Sequence, residues 1–218
     1  RGVRTPDDLV RMPFTLLIRR NNSLGARSNT AVLAEILDYG DSGQPPEGKI
    51  IEILGDPLSA TVQVRMAVEQ FELSRSFPAA VNEETDRLQP LTECEGGRVD
   101  LRQIPHVTID GESAKDFDDA IAVEETGNGF RLYVSIADVS HYVRPGSAID
   151  REAYRRGTSV YFPDLVIPML PERLSNDLCS LVPDQDRPAF TAILDFNARG
   201  QRTGEKFSTE LFADAAIR

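Results

Sequence analysis

Short apolar runs separated by turn-forming residues dominate the first quarter of the chain. The runs are FTLLIRR (14–20), TAVLAEIL (30–37) and GKIIEILG (48–55), and Asn-, Ser-, Gly- and Pro-rich segments divide them. Such runs are typical of β-strands joined by turns. The pattern therefore predicts a small β-barrel at the start of the chain.

A helical pattern and then an acidic, proline-flanked stretch follow the barrel. Apolar residues recur at roughly helical spacing in residues 64–74, and a second helix is predicted over 80–90. The composition of residues 76–98 is typical of a linker. We therefore expect one domain over residues 1–75 and another over residues 99–218.

The second block begins with strand-like runs. Strands are predicted at HVTID (106–110), AIAVEE (120–125) and FRLYVSIADVS (130–140), and a GNG turn should join the last two into a hairpin. Two further strands are predicted in residues 189–201 and 205–214, joined by a glycine-containing turn.

Two helices are predicted between these strands, which makes the second block mixed α and β. The first covers residues 146–157, with Ser147 as N-cap and Gly157 as the C-terminal stop. The second covers residues 171–181 and places three leucines on one face: Leu174, Leu178 and Leu181. The expected fold class is α+β.

Composition is that of a globular protein: 40% of the 218 residues are apolar and 27% are charged. The two cysteines, Cys94 and Cys179, have neither zinc-ligand spacing nor the density of a disulfide framework. No stretch reaches the roughly 18 apolar residues that a membrane span needs, and the N-terminus lacks an apolar signal-peptide core. We therefore expect a cytoplasmic protein without membrane contact.

The net charge of −11 argues at first against a nucleic-acid partner. The charge is unevenly distributed, because residues 1–30 contain six arginines against two aspartates. Part of the acidity lies between Asp110 and Glu125, where carboxylates crowd so closely that they repel one another unless a cation lies among them. A bound divalent metal would relieve that repulsion.

The segment TIDGESAKDFDDA (108–120) contains four aspartates within ten positions: Asp110, Asp116, Asp118 and Asp119. In a regular strand neighbouring side chains point to opposite faces, so bringing all four together requires an irregular turn, which Gly111, Ser113 and Ala114 permit. We expect Phe117 to anchor this loop in the core. Mg²⁺ prefers oxygen ligands, and four carboxylates suit two ions that together catalyse phosphodiester hydrolysis.

Other interpretations of the acidic run stay open at this point. A solvated acidic turn is one, although the acids stand between the apolar runs HVTID and AIAV. A non-catalytic ion site is another, although the spacing differs from that of an EF-hand loop. The cluster also does not distinguish RNA from DNA, because two-metal chemistry does not use the 2′-hydroxyl.

Many specific residues over 98–218 make this chain resemble one known family. The strings are HVTIDGESAKDFDDAIAVEE and FRLYVSIADVSHYVRPGSAIDREAYRRGTSVYFPDLVIPMLPERLSNDLCSL. They closely resemble the catalytic domain of the ribonuclease R and ribonuclease II (RNB) family, and the first ninety residues more loosely resemble its cold-shock-type OB barrel. The resemblance implies a small cold-shock barrel followed by a mixed α/β RNB-type domain that is incomplete at its C-terminus.

The resemblance also implies an activity: Mg²⁺-dependent, hydrolytic 3′→5′ degradation of single-stranded RNA to 5′-mononucleotides. By matching, the four family aspartates are Asp110, Asp116, Asp118 and Asp119; the first and last would hold Mg²⁺ most directly. Asp116 would support the metal site, and loss of Asp118 would abolish turnover while leaving RNA binding. Tyr161 matches a family aromatic that stacks on a base. From the residues alone, a tyrosine between Val160 and Phe162 would be expected to be half-buried in a strand.

Two nearby residues receive structural roles. We expect His141 to be structural and Asp138 to be a turn or capping residue, although Asp138 could also approach the cluster across the hairpin. The family's catalytic domain continues well beyond this segment, so residues 1–218 alone are expected to be inactive. No obligate protein partner is evident. The alternative is a non-catalytic RNA-binding or regulatory module derived from this family.

Overall fold

The structure is a computed structural model that describes residues 15–41, 43–91, 97–112 and 114–212. For residues 209–212 only the backbone is described. Cys94 and Ser113 lie outside the described residues, as do residues 213 and 214 of the last predicted strand. No described helix has the length and apolar character needed to cross a membrane.

The described elements alternate short strands with short helices. The strands are β1 (Leu17–Ile18), β2 (Ala31–Asp38), β3 (Glu47–Gly55), β4 (Val99–Asp100), β5 (Asp119–Thr126), β6 (Gly129–Ala137), β7 (Val160–Phe162), β8 (Leu165–Ile167), β9 (Arg187–Asn197) and β10 (Arg202–Phe212). The α-helices are α1 (Ala60–Gln70), α2 (Ala79–Arg87), α3 (Val139–Tyr142) and α4 (Ala148–Arg156). A 3₁₀ turn (Arg20–Asn22) and a π turn (Leu174–Leu178) complete the set.

Contacts divide the chain into two compact units. The first runs to Arg75 and also includes Phe162–Ile167; the second comprises Ser76–Tyr161 and the residues from Pro168 onward. In the first unit β2 and β3 pair antiparallel, and β1 pairs parallel with β3. Helix α1 contributes Val62 and Met66 to a small core with Ala31 of β2 and Leu54 of β3.

A five-stranded sheet forms the centre of the second unit, in the order β4-β10-β9-β6-β5. The predicted hairpin is confirmed, because β5 pairs with β6 from Asp119↔Ile136 to Thr126↔Gly129. A side chain at Gly129 would collide with the backbone of β9, since its Cβ would lie 1.9 Å from Phe196 O. Glycine is therefore required where this hairpin meets the next strand.

Small residues on one face of this sheet let the helical segments pack closely. Ala120, Ala122, Ala137 and Ala189 are all buried there. They belong to one apolar core with Ile149 of α4 and three buried leucines, Leu174, Leu178 and Leu181. On the opposite face of the sheet the rings of Phe190 and Phe207 are exposed and stack on each other, with centroids 6.4 Å apart.

The predicted boundaries of α4 are confirmed. Ser147 Oγ accepts a hydrogen bond from Asp150 N–H at 3.1 Å and so caps the N-terminus of the helix. Gly157, with φ of +75°, ends the helix. The strands predicted over 189–201 and 205–214 are β9 and β10, joined through Gly200.

One predicted element is wrong and another is confirmed only in part. Residues 106–110 do not form a strand, because His106 and Val107 make isolated bridges, such as the one between Val107 and Ile121, and not a continuous ladder. The helix predicted over residues 171–181 is shorter than expected: Glu172 and Arg173 are α-helical and lead into a π turn over Leu174–Leu178, in which Cys179 N–H donates to Leu174 O. The three leucines are nevertheless buried, because the turn still points them at the sheet.

Candidate active site

The acidic loop is held in place by backbone contacts on both sides of its aspartates. Phe117 N–H donates to Ser180 Oγ at 3.0 Å, and Leu181 N–H donates to Phe117 O at 2.9 Å. The same Ser180 hydroxyl donates to Lys115 O at 2.8 Å. The ring of Phe117 packs against the core, as predicted. These contacts fix the loop without using any aspartate side chain.

The strand edge fixes the last two aspartates. Asp118 O accepts a hydrogen bond from Ala137 N–H at 2.8 Å, and Asp119 is the first residue of β5, opposite Ile136. Asp110 lies three residues after the bridge at Val107. A turn then leads on toward the other acids, closed by a 2.9 Å bond from Ala114 N–H to Gly111 O.

Asp118 lies close enough to the other three aspartates for their charges to act on its carboxyl. Partial removal from water raises the pKa of the Asp118 carboxyl, and the charges of Asp116, Asp119 and Asp110 raise it further. Asp110, Asp118 and Asp119 are exposed and Asp116 is half-buried. A cation among these carboxylates would replace repulsion with attraction.

The donor set fits a hard divalent cation in kind and in charge. Mg²⁺ takes carboxylate oxygens together with water and substrate oxygens. Within the described residues, however, no group of three or more His, Cys, Asp or Glu side chains converges closely enough to hold a metal ion. Binding would therefore require the exposed side chains of Asp110, Asp118 and Asp119 to rotate toward one another.

Tyr161 lies beside the acidic loop. Its hydroxyl donates to Asp116 Oδ2 at 3.1 Å, and 66% of the residue is exposed. That hydrogen bond raises the pKa of Tyr161, with smaller contributions from burial and from the charges of Asp116 and Asp118. The hydroxyl is thus directed at the cluster. Tyr161 lies in strand β7, as its sequence context favours, but its side chain is exposed and not half-buried.

Asp138 has the capping role that its sequence context favours. It caps α3, where Asp138 Oδ1 accepts from Ser140 Oγ at 2.6 Å and from His141 N–H at 3.2 Å. Burial alone would raise the pKa of Asp138, but the bonds from Ser140 and from Arg98, 2.5 Å away, outweigh burial and lower it. His141 packs edge-to-face on Tyr142, with ring centroids 4.7 Å apart, which agrees with a structural role.

Two buried residues near the loop were not singled out by sequence reasoning. Ser180, fully buried, holds the loop from 63 residues away in the chain. Cys179 is buried next to it, and burial, followed by the charge of Asp118, raises the pKa of its thiol to about 12. The thiol therefore stays protonated and is a poor metal ligand. Only their neighbourhood in PERLSNDLCSL, which precedes β9, could have drawn attention to them.

Comparisons with known proteins agree with this arrangement. The RNB domain family matches residues 98–211, and the Cold shock domain family matches residues 5–78. Ribonuclease R of Escherichia coli is 46% identical over 209 residues, which are 94% of this chain and 26% of that protein. The chain therefore spans about a quarter of the length of this curated relative.

Solved structures give the same result for the fold. RNase R of Mycoplasma genitalium, in complex with double-stranded RNA, matches with a TM-score of 0.83 at 30% identity, over 94% of this chain and 37% of that one. Yeast Ssd1, described as a pseudonuclease, matches with a TM-score of 0.70 at 16% identity, over 93% of this chain and 27% of that one. The second likeness concerns the fold alone.

The expected α+β class, with a cold-shock-type region ahead of an RNB-type domain, is thereby confirmed. The family match covers more than half of the chain and contains all four aspartates and Tyr161. The chain therefore belongs to the RNB-domain family.

Proposed function

We propose that this chain is part of a Mg²⁺-dependent exoribonuclease that hydrolyses single-stranded RNA from its 3′ end and releases 5′-mononucleotides. The proposal rests on the acidic loop, where the charges of Asp110, Asp116 and Asp119 act on the Asp118 carboxyl at the edge of a packed sheet. Relatives named ribonuclease R support RNA as the substrate.

The metal would be held by the carboxylates, with Asp110 and Asp119 as the most direct ligands and Asp116 and Asp118 beside them. When bound, two such ions activate the attacking water and stabilise the leaving oxygen of a phosphodiester. The contribution of the protein itself is to hold the loop that carries the aspartates in position. Ser180 and the bond between Asp118 O and Ala137 N–H keep the loop in place while the side chains move.

Tyr161 would position the nucleotide. An exposed aromatic ring next to the acidic loop can stack on a base of any sequence, which contributes about 1–3 kcal/mol per base. The bond from its hydroxyl to Asp116 restricts the orientation of the ring. Stacking there would place a phosphodiester close to the carboxylates without any sequence preference.

A second function is a non-catalytic RNA-binding or regulatory module. One observation favours it: the described acids do not converge on one metal position. The acidic loop favours the enzyme, since a binding module gains nothing from four mutually repelling aspartates beside an anionic ligand.

The experiment uses the full natural chain that contains these residues, with single-stranded RNA labelled at its 5′ end. We expect Mg²⁺-dependent, stepwise shortening from the 3′ end, release of 5′-mononucleotides, and no reaction with chelator or with DNA of the same sequence. Residues 1–218 alone are expected to be inactive. RNA binding without shortening by the full chain would favour the binding module instead.

A further inference from the structure

Asp110 is attached to the sheet differently from the other three aspartates. Those three are held by the segment that leads directly into β5, whereas Asp110 is followed by the exposed residues Gly111 and Glu112. The position of Asp110 therefore depends on how residues 104–109 are attached to the sheet. One attachment is the bridge, in which Val107 and Ile121 exchange hydrogen bonds of 2.8 and 2.9 Å.

The second attachment is a buried chain of polar side chains. His106 Nδ1 lies 3.0 Å from Ile104 O, and since a carbonyl only accepts, Nδ1 carries the proton and donates it. His106 Nε2 then accepts from Ser135 Oγ at 3.2 Å. Ser135 Oγ in turn accepts from Thr191 Oγ1 at 2.8 Å. His106, Ser135 and Thr191 are all fully buried.

Ser135, an inner member of this polar chain, lies one position along β6 from the residue that pairs with Asp119. Ser135 lies opposite Ala120 in β5, and the next residue, Ile136, lies opposite Asp119. His106 stands four residues before Asp110. The bond between His106 and Ser135 therefore links the segment that ends in Asp110 to the strand pair that presents Asp119.

We propose that His106, through its hydrogen bond to Ser135, is a positioning residue that sets the distance of Asp110 from Asp118 and Asp119. A leucine would fill the same space without tying the segment to β6. A buried polar chain stabilises one geometry only while every member is paired, so loss of one bond releases the segment. The inference rests on the proposed function, because that spacing matters only if the three carboxylates share a cation.

Mn²⁺ binding, followed by the EPR signal of the free ion, tests this inference in the full natural chain. Ser135→Ala removes only the oxygen that His106 contacts, and His106→Leu removes the other partner. We expect each variant to weaken Mn²⁺ binding about tenfold, the usual scale for residues that orient ligands. His106→Gln, which keeps an acceptor directed at Ser135, should restore most of the affinity.

Thr85→Val is the matched control. Thr85 is buried and its hydroxyl donates to Val81 O at 2.8 Å within α2. Its loss therefore destabilises a helix that carries none of the four aspartates of the acidic loop. Thr85→Val should have a lower melting temperature than the natural protein and the same Mn²⁺ affinity. Melting curves of all variants separate loss of folding from loss of position, and Ser135→Ala decides the question if His106→Leu does not fold.

The outcomes separate this inference from the proposed function. If folded Ser135→Ala and His106→Leu bind Mn²⁺ as the natural protein does, the positioning role is overturned and the metal site stands. If the natural protein binds Mn²⁺ no better than Asp118→Asn, the proposed metal site fails, and the inference fails with it.

Discussion

Ser180→Ala offers a sharp test of how the acidic loop is held. The Ser180 hydroxyl is fully buried and bridges the loop, accepting from Phe117 N–H at 3.0 Å and donating to Lys115 O at 2.8 Å. Alanine removes both bonds and leaves a partly buried N–H without its partner. Two bonds at about 1 kcal/mol each, plus part of the penalty for an unpaired group, give a loss of about 2–3 kcal/mol.

The assay is urea unfolding of the full natural chain, compared with Ser175→Ala. Ser175 lies five residues away, and its hydroxyl donates at 3.2 Å to the side chain of its exposed neighbour Asn176, so loss of that hydroxyl should cost less than about 0.5 kcal/mol. Ser180→Ala should also weaken Mn²⁺ binding, because the loop carries Asp116 and Asp118. A free energy of unfolding no lower than that of Ser175→Ala would refute the idea that Ser180 holds the loop.

Three further predictions follow from individual side chains. Thr108 Oγ1 is buried and has no hydrogen-bond partner among the described residues, so Thr108→Val should raise the free energy of unfolding by about 1 kcal/mol in urea titrations, and a lower free energy of unfolding would contradict this. The pKa of Asp118 is raised in the folded state, so stability falls as pH rises through that pKa. Calorimetry with chelator should therefore show Asp118→Asn to be more stable than the natural protein at pH 7, with the difference vanishing below about pH 4; no difference at pH 7 would contradict the repulsion. Tyr161→Ala should weaken RNA binding by the roughly 1–3 kcal/mol of a stacked base, while Tyr161→Phe should bind almost normally in fluorescence anisotropy; equal losses would assign the effect to the hydroxyl.

Local sequence patterns were sufficient for the elements that depend on neighbouring residues. The hairpin of β5 and β6 follows from apolar runs around a glycine turn, and α4 begins and ends at its predicted cap residues. The packing of Phe117 against the core could also be predicted, because a large apolar side chain between charged residues is stabilised by burial. The role of Asp138 followed from its place after an apolar strand.

Features that depend on distant residues could not be predicted. Residues 106–110 have an apolar pattern, but they make isolated bridges and not a strand, because the chain must turn away to form the acidic loop. The spacing of Leu174 and Leu178 suits a π turn as well as an α-helix. Ser180 and His106 contact the loop region and β6 only after the sheet has formed, so no local pattern indicates them.

The most direct test of the central claim compares Asp118→Asn with Asp184→Asn in the full natural chain. Asp184 is exposed and has φ of +58°, a conformation that asparagine adopts readily, so this control should behave as the natural protein does. With 5′-labelled RNA and Mg²⁺, we expect Asp118→Asn to degrade RNA about a hundredfold more slowly or worse, and to bind RNA as tightly as the control. Degradation by Asp118→Asn at the rate of the control would contradict the assignment of the acidic loop as the site of hydrolysis.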